Sequence, residues 1–221
     1  AQMQTADTFL DAGWAHGAEW TLDEGKDYPH LAWEGCPGVR LVNPPHTYSG
    51  GTGEPNNPYR IATAKDLIAM GDGPEDYDRH FLLTADIDLD PNLPGGKVFD
   101  RAVIAPFPIV WPPFAGVFDG NDHTIQHLTI AGKGNLGLFG QLQAGATVRN
   151  LHLVNCNVNS SNGYAGALVG MNDGTITACH STGTISGSSL AGGLVGKNTG
   201  AVKDCHSSAS VSGDSFWAGG L

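Results

Sequence analysis

A short apolar element flanked by glycines recurs at a fixed interval in the last third of the chain. Gly166-Ala167-Leu168-Val169-Gly170 returns as Gly193-Leu194-Val195-Gly196, and the same interval separates Cys179-His180 from Cys205-His206. The copies lie about 26 residues apart, and a fixed period of 20 to 50 residues is typical of solenoids and related arrays. Because the unit consists of short β-type runs between Gly, Asn and Ser, the repeat predicts the stacked coils of a β-solenoid.

The apolar pattern continues towards the N-terminus with less regular spacing. The apolar residues of 125–130 match those of 148–153 at a shorter offset, which predicts that Ile125 and Val148 are equivalent. Val148 in turn matches Ile176 at an offset slightly longer than that of the late repeats. Such variation predicts short strands of constant length joined by turns of variable length.

Further residues around the element resemble a known family. Gly193-Leu194-Val195-Gly196 is followed by Asn198-Thr199-Gly200-Ala201-Val202 and Asp204-Cys205-His206-Ser207, as in the GLUG-motif repeats of large bacterial secreted and surface proteins. Residues 114–125 are similar to the coil that precedes such repeats, and the resemblance covers most of residues 47–221. It implies an all-β fold, a right-handed parallel β-helix, usually without an assigned reaction. The motif is structural, so the resemblance transfers no catalytic residue.

Composition divides the chain into four predicted regions. We expect residues 1–35 to be the closing segment of a preceding repeat domain and residues 36–58 to be a Pro- and Gly-rich linker. Residues 59–113 should hold a capping helix and the first coils with a long loop, and residues 114–221 the GLUG-type repeats. Since Ala218-Gly219-Gly220-Leu221 begins another copy, we expect the chain to be an internal fragment of a longer protein.

The first region carries three tryptophans, Trp14, Trp20 and Trp33, among acidic and glycine residues. Tryptophan faces can stack on sugar rings, which would make this region a carbohydrate-binding platform. The alternative interpretation is hydrophobic capping of a solenoid end.

A short helix is predicted at the start of the solenoid. Thr63 and Asp66 have the spacing of a capping box, and the apolar run that follows ends before Gly71. A helix here can cover strand edges that would otherwise pair with other chains. Pro91 to Pro113 is predicted to be a long loop, which Trp111 packs against the flank of the β-helix.

The first full strand is predicted at Phe81–Asp90, where apolar residues alternate with Asp86, Asp88 and Asp90. Three acids on one face could bind calcium through oxygen ligands. The alternative is a solvated face, or acids that accept hydrogen bonds from turn amides.

The paired Cys-His dipeptides predict opposite orientations for their two residue types, because neighbouring side chains of a strand face opposite sides. Cys179 and Cys205 should be buried, adjacent and reduced, since parallel side chains give poor disulfide torsions. His180 and His206 should be exposed, either as a solvated row or as a weak metal site.

Other histidines lie near acids in the sequence. His123, His127 and His152 could supply a general base or metal ligands together with Asp119 and Asp122. The alternative is structural, because Asp119-Gly120-Asn121-Asp122 has the composition of a tight turn.

Charge excludes several classes of partner. The net charge is −11, and no basic stripe is available to neutralise phosphates, so neither nucleic acid nor an anionic membrane surface is an expected partner. No run approaches the roughly 20 apolar residues that a membrane span needs.

These features predict a noncatalytic structural or adhesive module of a large secreted or cell-surface bacterial protein, extracellular or at the cell surface, with carbohydrate or a cell-surface protein as weak partner. No catalytic residue and no cofactor are assigned, apart from the calcium candidates. The alternative is part of a polysaccharide lyase or glycoside hydrolase of the β-helix type, and the sequence favours the noncatalytic interpretation.

Overall fold

The computed structural model describes six stretches of the chain, which are residues 20–22, 30–31, 39–41, 47–106, 112–213 and 217–220. The chain divides into two compact units, residues 1–46 and 47–221. Residues 47–58 therefore belong to the second unit, while the predicted domain boundaries stay predictions.

The first unit contains a small antiparallel sheet. Its strands are β1 (Trp20–Leu22), β2 (His30–Leu31) and β3 (Val39–Leu41), in the order β2-β1-β3. Trp20 is the backbone partner of Leu31 on one side and of Leu41 on the other. Trp14 and Trp33 lie outside the described residues, so both interpretations of the tryptophans stay predictions.

The second unit is a stack of coils whose successive strands pair in parallel. A six-stranded sheet contains β4 (Tyr59–Ile61), β5 (His80–Leu83), β7 (Val117–Asp119), β11 (Thr147–Arg149), β15 (Thr175–Thr177) and β19 (Ala201–Lys203). A seven-stranded sheet contains β6 (Ile87–Asp88), β8 (Thr124–Gln126), β9 (Thr129–Gly132), β12 (His152–Ser160), β16 (His180–Gly187), β20 (His206–Ser207) and β21 (Ser210–Gly213).

Two three-stranded sheets complete the coils. One contains β10 (Phe139–Leu142), β14 (Val169–Asn172) and β18 (Val195–Asn198), and the other β13 (Tyr164–Ala165), β17 (Leu190–Gly192) and β22 (Trp217–Gly219). The predicted all-β parallel β-solenoid with a short capping helix is thus confirmed. Among the described residues, no helix is long and apolar enough to cross a membrane.

The register confirms the late repeats and corrects the earlier offset. Val148 pairs with Ile176, and Ile176 pairs with Val202, as the repeat predicts. The predicted equivalence of Ile125 and Val148 is wrong, because Val148 pairs with Phe118 in the six-stranded sheet while Ile125 pairs with Leu153 in the seven-stranded sheet. Similar apolar spacing in two sheets of one coil produced the false match.

The predicted inward-facing residues fill the solenoid. Four of them are fully buried, and the two on the edge strands β19 and β21 are half-buried: Leu168, Ile176, Ile185, Leu194, then Val202 and Val211. Each added coil therefore buries the apolar row of the coil before it, which is worth about 25 cal/mol per Å² of apolar surface.

The helix α1 (Ala64–Asp72) confirms the capping box, because Thr63 Oγ1 accepts from the Asp66 N–H and Asp66 Oδ2 accepts from the Thr63 N–H. The helix continues past Gly71, where the prediction ended it, and a short 3₁₀ helix follows at Pro74–Asp76. Gly71 is needed there because a Cβ would lie 2.0 Å from the carbonyl oxygen of Val103.

The strand predicted at 81–90 is two strands in two sheets. β5 ends at Leu83, the Thr84 N–H donates to the Ile61 carbonyl, and the chain turns a corner before β6 begins at Ile87. Alternation continues through such a corner, so the sequence pattern does not reveal it.

The predicted long loop is partly built into the coils. Phe99 forms a parallel bridge with Ile130, and Ile104 forms one with Phe139. Both side chains are buried, so this stretch completes a coil irregularly. Trp111 lies outside the described residues.

Candidate functional site

The outer face of the seven-stranded sheet aligns three histidines on successive coils. His152 of β12 is the partner of His180 of β16, which is the partner of His206 of β20. The ring centroids are 5.0 Å apart for His152 and His180 and 6.2 Å apart for His180 and His206. His180 and His206 are exposed, as predicted, and His152 is half-buried. We call these three residues the histidine column.

Two other histidines pair with carboxylates at the N-terminal end of this face. His123 Nδ1 lies 3.1 Å from Asp86 Oδ1, and His127 Nδ1 lies 2.8 Å from Asp88 Oδ1. The Thr124 N–H and the His123 ring lower the pKa of the Asp86 carboxyl. The His127 hydrogen bond outweighs partial burial and lowers the pKa of Asp88.

The three calcium candidates lie in separate hydrogen-bonding environments. Asp86 accepts from a backbone N–H of β8, Asp88 accepts from the Gln126 amide, and Asp90 accepts from Asn92. Within the stretches that the structure describes, no group of three or more His, Cys, Asp or Glu side chains is arranged to hold a metal. The calcium assignment stays a prediction.

Among the described residues, the hydrogen-bond partners of Asp119 are Arg149, Asn150 and Asn121 and not a histidine. Asp119 Oδ2 accepts from Arg149 Nε at 2.8 Å, and its Oδ1 accepts from the Asn150 amide and the Asn121 N–H. Burial raises the pKa of Asp119, but these hydrogen bonds outweigh it and hold the pKa below its ordinary value. Asn121 and Asp122 have positive φ, as the turn interpretation requires.

The second half of the same sheet presents two uncharged columns on its outer face. Register places Thr129, Asn157, Thr184 and Ser210 in one column and Ala131, Asn159, Ser186 and Ser212 in the other. We call these eight residues the neutral face. Asn159, Ser186 and Ser212 of this face also line a groove of about 350 Å³, together with Ser and Gly residues of the same three coils.

Identical side chains also stack inside the coils. The Asn172 amide donates to Asn198 Oδ1 at 2.7 Å, and Ser181 Oγ donates to Ser207 Oγ at 2.9 Å. Cys179 and Cys205 are both free, as predicted. Cys179 is buried, but Cys205 is half-buried because it lies at the edge of the stack, so the prediction of a fully buried pair is wrong for Cys205.

His152 has a second neighbour that sequence reasoning missed. Its N–H donates to the His123 carbonyl, so it lies beside one of the histidines with which the sequence grouped it, and the structure also aligns it with His180 on the next coil. The match between Val148 and Ile176 carries that information, because the same offset applied to His152 gives His180.

The chain is similar to proteins already described. Residues 187–212 match the family described as the GLUG motif. The chain is 32% identical over 145 residues to "Halomucin" of Haloquadratum walsbyi and 35% identical over 142 residues to a "Putative Gly-rich membrane protein" of Evansella cellulosilytica. The first comes from an archaeon, so the resemblance is not confined to bacterial proteins.

The chain corresponds to only a small part of the length of each of these relatives. The alignments cover 63% and 58% of this chain but 2% and 15% of the relatives' own length. A crystal structure named "putative immunoglobulin A1 protease from Bacteroides ovatus" matches with a TM-score of 0.54 and 25% identity, covering 73% of this chain and 50% of that one. The parallel register and the motif match lead to one conclusion: residues 47–221 form a parallel β-solenoid that contains a GLUG motif at residues 187–212.

Proposed function

We propose that this solenoid is a noncatalytic structural or adhesive module of a large extracellular or cell-surface protein. The observation that carries the proposal is the neutral face, which repeats hydroxyl and amide groups from coil to coil without a charged residue. Such a face suits weak, repeated contact with carbohydrate, and we name carbohydrate as its partner.

The spacing of the neutral face supports repeated contact. Paired strands lie about 4.8 Å apart, so each coil presents a similar group one step along the stack. Asn157 and Asn159 are exposed on one coil and Thr184 is exposed on the next. When one polysaccharide molecule contacts several coils at once, its weak individual contacts combine into a higher avidity.

The relatives support the proposed location. Their names describe a mucin-like protein and a Gly-rich membrane protein, and both are much longer than this chain. A stiff solenoid inside a long surface protein extends its length by adding coils. We therefore place the module outside the cell or at its surface.

A binding assay with charged substitutions tests the adhesive role. Thr184→Lys and Ser186→Lys insert a long cation in the middle of the neutral face, and we expect them to weaken binding to a panel of neutral polysaccharides several-fold. Thr175→Lys is the matched control, because Thr175 is half-exposed, as Ser186 is, but lies in the six-stranded sheet. Equal binding by all variants, or no binding by the unmodified chain, would refute the adhesive role.

A polysaccharide lyase or glycoside hydrolase is the second candidate. The His127–Asp88 pair favours it, because a carboxylate 2.8 Å from Nδ1 orients an imidazole as general base. Incubation with acidic and neutral polysaccharides should yield neither reducing ends nor unsaturated products. Turnover that is abolished by His127→Ala, His123→Ala or Asp119→Ala would overturn the noncatalytic role.

A further inference from the structure

We propose that His152 and His180 form a chelating site for a first-row transition-metal ion such as Zn²⁺, Ni²⁺ or Cu²⁺. The two residues are direct partners on parallel strands, so their side chains leave the same face of the sheet side by side. Their ring centroids lie 5.0 Å apart with the ring planes at 80°.

That separation fits two imidazoles on one metal ion. A zinc ion lies about 2.0–2.1 Å from its imidazole nitrogens, which places it about 3.2 Å from each ring centre. At a tetrahedral angle the two ring centres are then about 5 Å apart. His152 and His180 already have this spacing, whereas the 6.2 Å between His180 and His206 would need an angle of about 150° at the metal, far from tetrahedral.

The imidazole nitrogens of this pair are available. Among the described residues, no hydrogen bond or ion pair engages the ring nitrogens of His152 or His180, while His123 and His127 each hold a carboxylate. Asp86 lies near enough for an electrostatic interaction with His152, and its negative charge favours a bound cation.

The chemistry of the pair defines the class of metal. Imidazole suits zinc, copper and nickel, whereas magnesium and calcium prefer oxygen ligands. Two protein ligands leave the remaining positions to water, as in an open site. Binding should therefore be reversible and weaker than at a structural zinc site with four protein ligands.

Titration of the complete chain with Zn²⁺ by calorimetry, and with Ni²⁺ by ¹H–¹⁵N NMR, tests the site. We expect Ni²⁺ to broaden first the amide signals around His152 and His180. His152→Ala and His180→Ala should each reduce Zn²⁺ affinity by at least about tenfold, since even loss of an outer-shell partner costs that much.

Three further variants serve as controls. His127→Ala removes an imidazole that Asp88 already engages, so it should change the Zn²⁺ affinity less than about twofold. His206→Ala should change the Zn²⁺ affinity less than about threefold. His180→Gln keeps a polar side chain at the position and should lose affinity like His180→Ala. Unchanged affinity in both His152→Ala and His180→Ala, or equal losses in all four alanine variants, would overturn the proposal.

Discussion

The first coils and the later repeats contribute strands to the same sheets, but different kinds of side chain fill their interiors. Around Tyr77, Phe81 and Phe114 the interior consists of aromatic rings, and Phe114 lies 5.1 Å from Phe139 between ring centroids. The later coils stack smaller side chains, including identical pairs such as Asn172 on Asn198. The contrast shows that the core near the helix is built from contacts between different aromatic side chains, whereas the core of the later coils is built from similar side chains stacked at equivalent positions.

Coil length follows the same division. The register of the six-stranded sheet steps from Phe118 to Val148, then to Ile176 and then to Val202. Each of these steps is shorter than the one before, so the coils shorten as the aromatic rings give way to smaller residues. The turns absorb most of the difference, and the pairing of β12 with β16 contains one register shift between Leu153 and Cys156.

The largest expected effect is the loss of an aromatic ring from the first coils. Phe114→Ala removes a fully buried ring that contacts three others, and we expect the free energy of unfolding to fall by about 3–5 kcal/mol. Urea unfolding of the variant and the unmodified chain measures this fall in the free energy of unfolding.

Phe114→Leu is the control for this comparison. Leucine fills much of the same volume, so the loss should be well below that of alanine. Equal losses for Leu and Ala would show that the ring contacts, and not the filled volume, stabilise the first coils.

Thiol labelling sharpens the comparison inside the repeats. Burial raises the pKa of Cys156 and of Cys179 to about 12 from the ordinary value of 9.0, which lowers their thiolate fraction roughly a thousandfold. We expect half-buried Cys205 to react at pH 8 at least about a hundredfold faster than either of them. Mass spectrometry of labelled peptides resolves the sites.

The same pKa values predict the direction of a pH effect on stability. The pKa of each buried thiol is higher in the folded chain than in the unfolded chain, so burying the neutral thiol contributes to the free energy of unfolding. This contribution is complete below about pH 9 and is lost as the pH rises towards 12. Rapid labelling of Cys179 in the native protein would contradict its buried position.

The sequence correctly predicted the features that recur with the repeat. The coils, the inward rows, the free cysteines and the exposed His180 and His206 all followed from one interval. The helix followed from local chemistry, since a capping box needs only Thr63 and Asp66.

What the sequence did not predict depends on corners and on contacts between distant coils. A strand that turns between Leu83 and Ile87 keeps its alternation, so the corner was invisible. The place of His152 in the histidine column was missed because it was grouped with residues near it in sequence, and the offset from Val148 to Ile176 was not applied to it. The carboxylate partners of His123 and His127 lie 37 and 39 residues away in sequence, and no motif links them.

A smaller effect is expected at the helix. Alanine in place of a helical glycine normally stabilises by about 1 kcal/mol. Gly71→Ala should instead destabilise by about 1–3 kcal/mol, because the added Cβ would lie 2.0 Å from the Val103 carbonyl oxygen. Thermal unfolding measures the change, and Lys65→Ala on the exposed side of α1 is the control. A gain in stability for Gly71→Ala would show that the coil beneath the helix can move away.

The smallest effect tests repetition itself at one corner of the coil. Asn150, Ala178 and Asp204 follow paired strands and have φ values of 52°, 51° and 52°. Asn and Asp tolerate this left-handed conformation, whereas alanine bears a cost of about 1–2 kcal/mol. Ala178→Asn should therefore raise the free energy of unfolding by about 1 kcal/mol, seen as a higher urea midpoint at unchanged slope. Ala178→Gly relieves the same strain but adds freedom to the unfolded chain, so it should gain less. If Ala178→Asn lowered the midpoint, the corner would depend on its own packing and the later coils would be less repetitive than their register indicates.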